Sequence, residues 1–150
     1  MESNLTAIEG NDMSSVQLAQ DIYDAFGRGD IPAVLGYFAP DMEWHPAEGH
    51  AFRPDGSPWV GRDEIAEGFF AQIGEAWSSF TVTPRRFHDA GDTVVVEGRY
   101  TCVLKESHES IDAQFCHIWT ARDGKMTNFQ QYMDTAQLQH AVAAGVAVAR

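Results

Sequence analysis

The residues best suited to proton chemistry stand in the last hairpin of the chain: Phe115-Cys116-His117-Ile118-Trp119, the turn Arg122-Asp123-Gly124-Lys125, then Phe129-Gln130-Gln131-Tyr132-Met133-Asp134. Side chains alternate across a strand, so pairing gathers a histidine, an amide and several aromatics on one face. That composition is closer to a pocket lining than to a plain core. His117 titrates near neutral pH and is the first candidate for general base or acid; a core or dimer-interface histidine satisfied by a carbonyl is the alternative reading. Gln131 takes no proton at neutral pH but can orient a carbonyl or a water.

The turn decides which residues share that face. A three-residue loop with Gly124 left-handed pairs Ala121 with Lys125, sets His117 opposite Phe129 and Phe115 opposite Gln131, and gathers Phe115, His117, Trp119, Phe129, Gln131 and Met133. A two-residue turn at Asp123-Gly124 instead sets His117 opposite Gln130 and Phe115 opposite Tyr132, with Asp134 on the same side. The first register is favoured, and the second stays open.

Other candidates lie outside the hairpin. His45 follows Trp44 at a strand end beside a long loop and is a second candidate base; Asp134 is a secondary candidate acid that equally suits a helix cap before Thr135. Tyr23, Trp44, Trp59 and Phe70 join Phe115, Trp119, Phe129 and Met133 as candidate ligand-binding residues, each of which also reads as core. His45, Glu48 and His50 are close in sequence but lack a spacing that converges them, so no metal site is expected. No phosphate loop, dinucleotide fingerprint or serine nucleophile elbow occurs, and no cofactor is expected.

The elements that must position these groups follow from periodicity. Ser14-Ser15 caps a helix with Val16, Ala19, Ile22, Tyr23 and Phe26 on one side, stopped by Gly27 and Gly29. Asp30 caps a short second helix carrying Val34, Leu35 and Phe38, closed by Pro40. Met42 to His45 reads as a strand, 47–60 as a loop of the length that lids and binding loops have, and Gly61 as the start of a helix with Ile65, Phe69, Ile73 and Trp77 at four-residue steps. From Phe80 the period becomes two: a bulged or edge strand through Pro84, then strands near 93–105, 111–121 and 126–133, then a helix with Leu138, Val142 and Val146 on one side. This order is α+β, a flexible segment 1–13 before one domain over 14–150, with helices covering one face of a curved sheet.

Composition narrows the partners. A chain of 150 residues with 44% apolar content has enough core to fold without staples, and no apolar run is long enough for a membrane span. A formal charge of -12 opposes phosphate tracking, so neither nucleic acid nor membrane is expected as a partner. Two cysteines, Cys102 and Cys116, sit in strand patterns and read as buried thiols. The start of the chain carries no cationic or apolar targeting pattern, so a cytoplasmic location is expected.

Phe26-Gly27-Arg28-Gly29-Asp30, Tyr37-Phe38-Ala39-Pro40-Asp41, Glu43-Trp44-His45-Pro46, Trp59-Val60-Gly61-Arg62 and Arg122-Asp123-Gly124-Lys125, in that order, resemble the SnoaL-like and ketosteroid-isomerase-related branch of the nuclear transport factor 2-like superfamily. The resemblance runs from about Val16 to Val142. It implies a cone, in which a strongly bent antiparallel sheet wraps around helices with an apolar pocket inside, and a homodimer formed through the outer sheet face. The isomerases use an aspartate base beside a tyrosine and a protonated acid. The matching places here hold His45 or Pro46, Ile22 or Tyr23, and Cys116 or His117, so that mechanism is not expected. The cyclase-like and epoxide-hydrolase-like members carry an acid on the last strand, where this chain has Gln131. The expectation is a small-molecule pocket protein for a hydrophobic, oxygenated ligand, either an isomerase, cyclase or lyase working by proton transfer or a non-catalytic binding or dimerisation module.

Overall fold

A computed structural model describes residues 14–149; the expected flexible segment 1–13 lies outside the described residues. Helix α1 spans Ser15–Gly27, its start fixed by the Ser14 hydroxyl accepting from the Gln17 N–H. Leu18, Ala19, Ile22 and Ala25 form its buried stripe. Helix α2 (Ile31–Gly36) is capped by Asp30, which accepts from the Ala33 N–H. Strand β1 (Phe38–His45) begins earlier than the sequence suggests, taking in Phe38 and Pro40, which had read as the end of the second helix. Pro40 is tolerated because the pairing of β1 with the last strand of the sheet skips from Phe38 to Glu43.

The expected long third helix is three pieces: α3 (Arg62–Ile65), a π-helical segment (Ala66–Phe70) and α4 (Ala71–Ala76). The four-residue stripe is broken by one wide turn, so both Phe69 and Phe70 reach the interior, and Trp77 leaves the helix to open the next strand. Gly68 sits in that turn because a Cβ there would stand 2.2 Å from Trp59 Nε1.

Strands β2 (Trp59–Val60), β3 (Trp77–Ala90), β4 (Thr93–Leu104), β5 (Ser110–Arg122) and β6 (Lys125–Met133) complete one sheet in the order β2-β1-β6-β5-β4-β3. The meander β3 to β6 is antiparallel as expected, while β1 adds to β6 in parallel, which the sequence pattern did not indicate. Helix α1 lies against β3, β4 and β5, and the closing helix α5 (Thr135–Ala149) against β4 and β5. Alternation along β4 and β5 sends Val94, Val96, Tyr100, Phe115, His117 and Trp119 to the covered face. Trp119, Phe129 and Phe38 are fully buried there, each worth about 1.5–3 kcal/mol in removed apolar surface.

The β5–β6 turn combines the two registers weighed from sequence. It is the two-residue turn, Asp123 and Gly124 both left-handed (φ 53° and 76°), with Arg122 opposite Lys125 and Ala121 opposite Met126. The pairing then shifts so that Thr120 faces Asn128, leaving Thr127 as a bulge. Beyond it His117 stands opposite Gln131 and Phe115 opposite Met133, not opposite Phe129 and Gln131. The extra residue restores the favoured face: Phe115, His117, Trp119, Phe129 and Gln131 are all buried, whereas Tyr132 is 53% exposed.

Candidate functional site

At the centre of the covered face His117 is held at both ring nitrogens. The Tyr23 hydroxyl, from α1, lies 2.6 Å from Nδ1, and the Tyr100 hydroxyl, from β4, lies 2.5 Å from Nε2. The ring of Phe115 stacks on the imidazole at 3.8 Å between centroids, and Phe129 meets its other side edge-on. Phe115 reaches this position because residue 98 is glycine; a Cβ there would stand 2.4 Å from the ring.

Each tyrosine is in turn fed by a donor. Trp119 Nε1–H donates to the Tyr23 oxygen over 3.0 Å, and Gln131 Nε2–H donates to the Tyr100 oxygen over 2.9 Å. The orientation of the Gln131 amide follows from its other end, where Oε1 accepts the backbone N–H of Ala47 over 3.2 Å. A backbone N–H can only donate, so the oxygen belongs at that end and the amide nitrogen at Tyr100. The result is a continuous chain, Trp119–Tyr23–His117–Tyr100–Gln131–Ala47, running from the middle of the sheet to the start of the long loop.

Burial keeps this chain neutral. It holds the His117 pKa well below the ordinary histidine value, and raises those of Tyr23 and Tyr100 above the ordinary phenol value. Next to it lies an apolar cavity of about 40 Å³, whose wall includes Tyr23, Trp44, Phe70, Tyr100, His117 and Trp119. A second, of about 30 Å³, lies beyond Tyr100 and is lined by Gln131 and Met133 among others. Tyr100 faces both. Cavities of this size hold a few waters, so anything larger enters only as the aromatic wall moves.

The other sequence candidates are placed as follows. Phe129 lines the first cavity and stacks on Trp44 at 3.9 Å. His45 points the other way from Trp44 and meets Glu43 Oε1 at 3.0 Å. Trp59 is buried under the Arg53 guanidinium, 4.4 Å above its ring, and lines neither cavity. Asp134 accepts from the backbone and side-chain nitrogens of Gln137, and lies on the outer side with Tyr132. The 47–60 loop is tied down: Arg53 donates to the carbonyls of Ser57 and Pro58, and His50 Nδ1 accepts from the Phe52 N–H. Burial lowers the His50 pKa to about 4. Among the described residues no group of three or more His, Cys, Asp or Glu converges as metal ligands would.

Tyr100 is the residue that sequence reading missed. Its signal was present: it shares parity with Val94, Val96 and Cys102 on β4, so a period of two already sent it inward beside the histidine. The Ala47 N–H carries no sequence signal.

Comparison with known proteins agrees with this architecture. The sequence model described as SnoaL-like domain matches residues 19–129. A nuclear transport factor 2-like protein from Burkholderia thailandensis is 31% identical with a TM-score of 0.81, over 87% of this chain and 98% of that one. TerC, solved after co-crystallisation with polyporic acid, is 29% identical with a TM-score of 0.76, over 85% and 97%. A putative SnoaL-like polyketide cyclase from Jannaschia, 19% identical with a TM-score of 0.73 over 89% and 97%, shares the fold. No match was found among proteins of curated function.

Proposed function

Because the chain belongs to the SnoaL-like domain family, we propose that it takes a hydrophobic, oxygenated small molecule into the cavity beside His117 and moves a proton on it without a cofactor. One observation carries this reading: a buried histidine, hydrogen-bonded at both nitrogens to tyrosine hydroxyls, forms part of the wall of an otherwise apolar cavity. Cavities that bind small molecules are mostly apolar with a few converging polar groups, the pattern found here. A neutral imidazole accepts a hydrogen at one nitrogen while donating at the other, so His117 passes protons between Tyr23 and Tyr100 without holding a net charge. Gln131 holds Tyr100 in place rather than taking a proton itself. The co-crystallisation of TerC with polyporic acid supports a small organic ligand for this fold at close to 30% identity.

The test is turnover across a panel of enone, lactone and epoxide substrates. His117→Ala is expected to abolish activity on any substrate the wild type accepts while leaving the circular dichroism spectrum native; His45→Ala is expected to keep it. Unchanged turnover in His117→Ala removes the histidine from the mechanism.

A second reading, a binding module without chemistry, is supported by a different observation: among the described residues no carboxylate lines either cavity, and the cavities are small. Binding of panel compounds without product favours it. We also place a homodimer contact on the outer sheet face, where Tyr132 is exposed, in a cytoplasmic protein; sedimentation of wild type against Tyr132→Lys tests the dimer.

A further inference from the structure

The two apolar cavities share a wall. Phe69, Ile73, Phe80 and Tyr100 face both; Ile22, Val34 and Trp119 line only the first, and Ile111, Met133 and Leu138 only the second. Three of the four dividers are held in place. The Tyr100 hydroxyl lies between His117 Nε2 and Gln131 Nε2, and Phe80 stands on β3 paired with Cys102 of β4. Ile73 lies within α4, where Lys105 Nζ donates to the carbonyl of Gly74 over 2.7 Å. Phe69 alone of the four stands on the π turn, where the Ala71 N–H reaches back to the Ala66 carbonyl and the α-helical ladder is interrupted. Single π turns of this kind cluster at functional sites.

The broken helix is pinned at its ends, by Arg62 donating to the Phe38 carbonyl and by Lys105 at Gly74. The turn between rests on packing. Gly68 lies against the Trp59 indole, and the half-buried Phe69 ring meets Trp44, Phe70 and Trp59 with centroids 4.8, 5.2 and 5.7 Å away. Such contacts are non-directional, so the ring can change rotamer without breaking a hydrogen bond. We infer that Phe69 is a door between the cavities, closed in this structure, and that with it swung aside they become one slot for an elongated apolar ligand of two linked rings. The cavities, of about 40 and 30 Å³, are each too small for such a molecule. This rests on the cavity beside His117 being the ligand site, and it adds the ligand's shape and the residue that selects for it.

The experiment compares cyclopentanone, a single ring, with 4-phenylcyclohexanone, two rings in line, on the wild type, Phe69→Ala and Phe70→Ala. Both substitutions remove the same atoms, but Phe70 lines only the first cavity, so only the loss of Phe69 joins the two. Tryptophan fluorescence follows the titrations, since Trp44 and Trp119 line the first cavity. The two-ring compound should bind Phe69→Ala about tenfold tighter than the wild type, because a closed door no longer withdraws most of the population from binding. Phe70→Ala should stay close to the wild type. An equal gain in Phe70→Ala, or an equal gain for cyclopentanone in Phe69→Ala, assigns the effect to added volume and overturns the door. Where a truncation unfolds the chain, the wild type decides: intermolecular NOEs from bound 4-phenylcyclohexanone should reach the methyls of both Ile22 and Leu138. Contacts at one end only, or entry of cyclopentanone without the two-ring compound, overturn the slot and leave the ligand reading standing. If neither compound enters, that reading falls and the slot falls with it.

Discussion

The two faces of the β5–β6 hairpin carry similar side chains and put them to opposite use. On the covered face Gln131 is 3% exposed and spans the Ala47 N–H and the Tyr100 hydroxyl; its neighbour Gln130, one residue away, folds back onto the carbonyl of Gln131. His117 is 3% exposed between two hydroxyls, while His45 meets an exposed glutamate. Tyr100 is buried in the network and Tyr132 stands in solvent. Residue type is therefore a poor guide to chemistry in this fold. Which side of the sheet a residue takes decides whether its hydrogen bonds are fixed by the protein or traded with water.

The strongest way to break that contrast is to exchange the faces. Inserting one alanine after Asn128 lengthens β6 beyond the bulge, and the slip of one residue turns Phe129 and Gln131 outward while burying Gln130 and Tyr132. The expected loss exceeds about 4 kcal/mol, enough to unfold a domain of this size in urea denaturation. Native-like stability would show that β6 tolerates either face.

Acid sharpens the contrast without mutation. A histidine kept neutral by burial binds fewer protons in the fold than in the unfolded chain once pH falls below about 6.5, so stability is present above that value and lost on acidification. With a native pKa of about 4, His50 alone accounts for up to about 3 kcal/mol between pH 6.5 and 4, and His117 adds a loss of the same sign. Urea midpoints across this range are expected to fall in the wild type and to fall less steeply in His50→Gln.

Single groups of the network come next. Tyr100→Phe strands the Gln131 amide and one nitrogen of His117, at a cost of about 1–3 kcal/mol, and Gln131→Leu, which strands the Ala47 N–H and Tyr100, is expected in the same range. The outer-face counterparts, Tyr132→Phe and Gln130→Leu, are expected within about 0.5 kcal/mol of wild type. Denaturation of the four variants side by side measures the comparison directly; equal costs on both faces would abolish it.

Much of this was legible in sequence. Helical and two-residue periods placed α1, α2 and the meander, five short segments pointed to the family, and the favoured face of the hairpin is the face that is buried. What was not legible depends on single-residue insertions and backbone partners. The Thr127 bulge leaves no pattern of its own, and it explains why the turn read as the alternative while the face read as the favoured one. The π turn at 66–70 hides in a run that also fits an unbroken helix. Parallel addition of β1 to β6 is a tertiary choice, and the Ala47 N–H that fixes Gln131 has no side chain to announce it. Tyr100 was readable but had no neighbour in sequence to mark it as polar business in a strand of valines.

The most direct measurement is a crystal structure of the wild-type protein grown with cyclopentanone. The account expects the ring inside the aromatic wall, in the cavity beside His117. A ketone found only on the outer face of the sheet would contradict it.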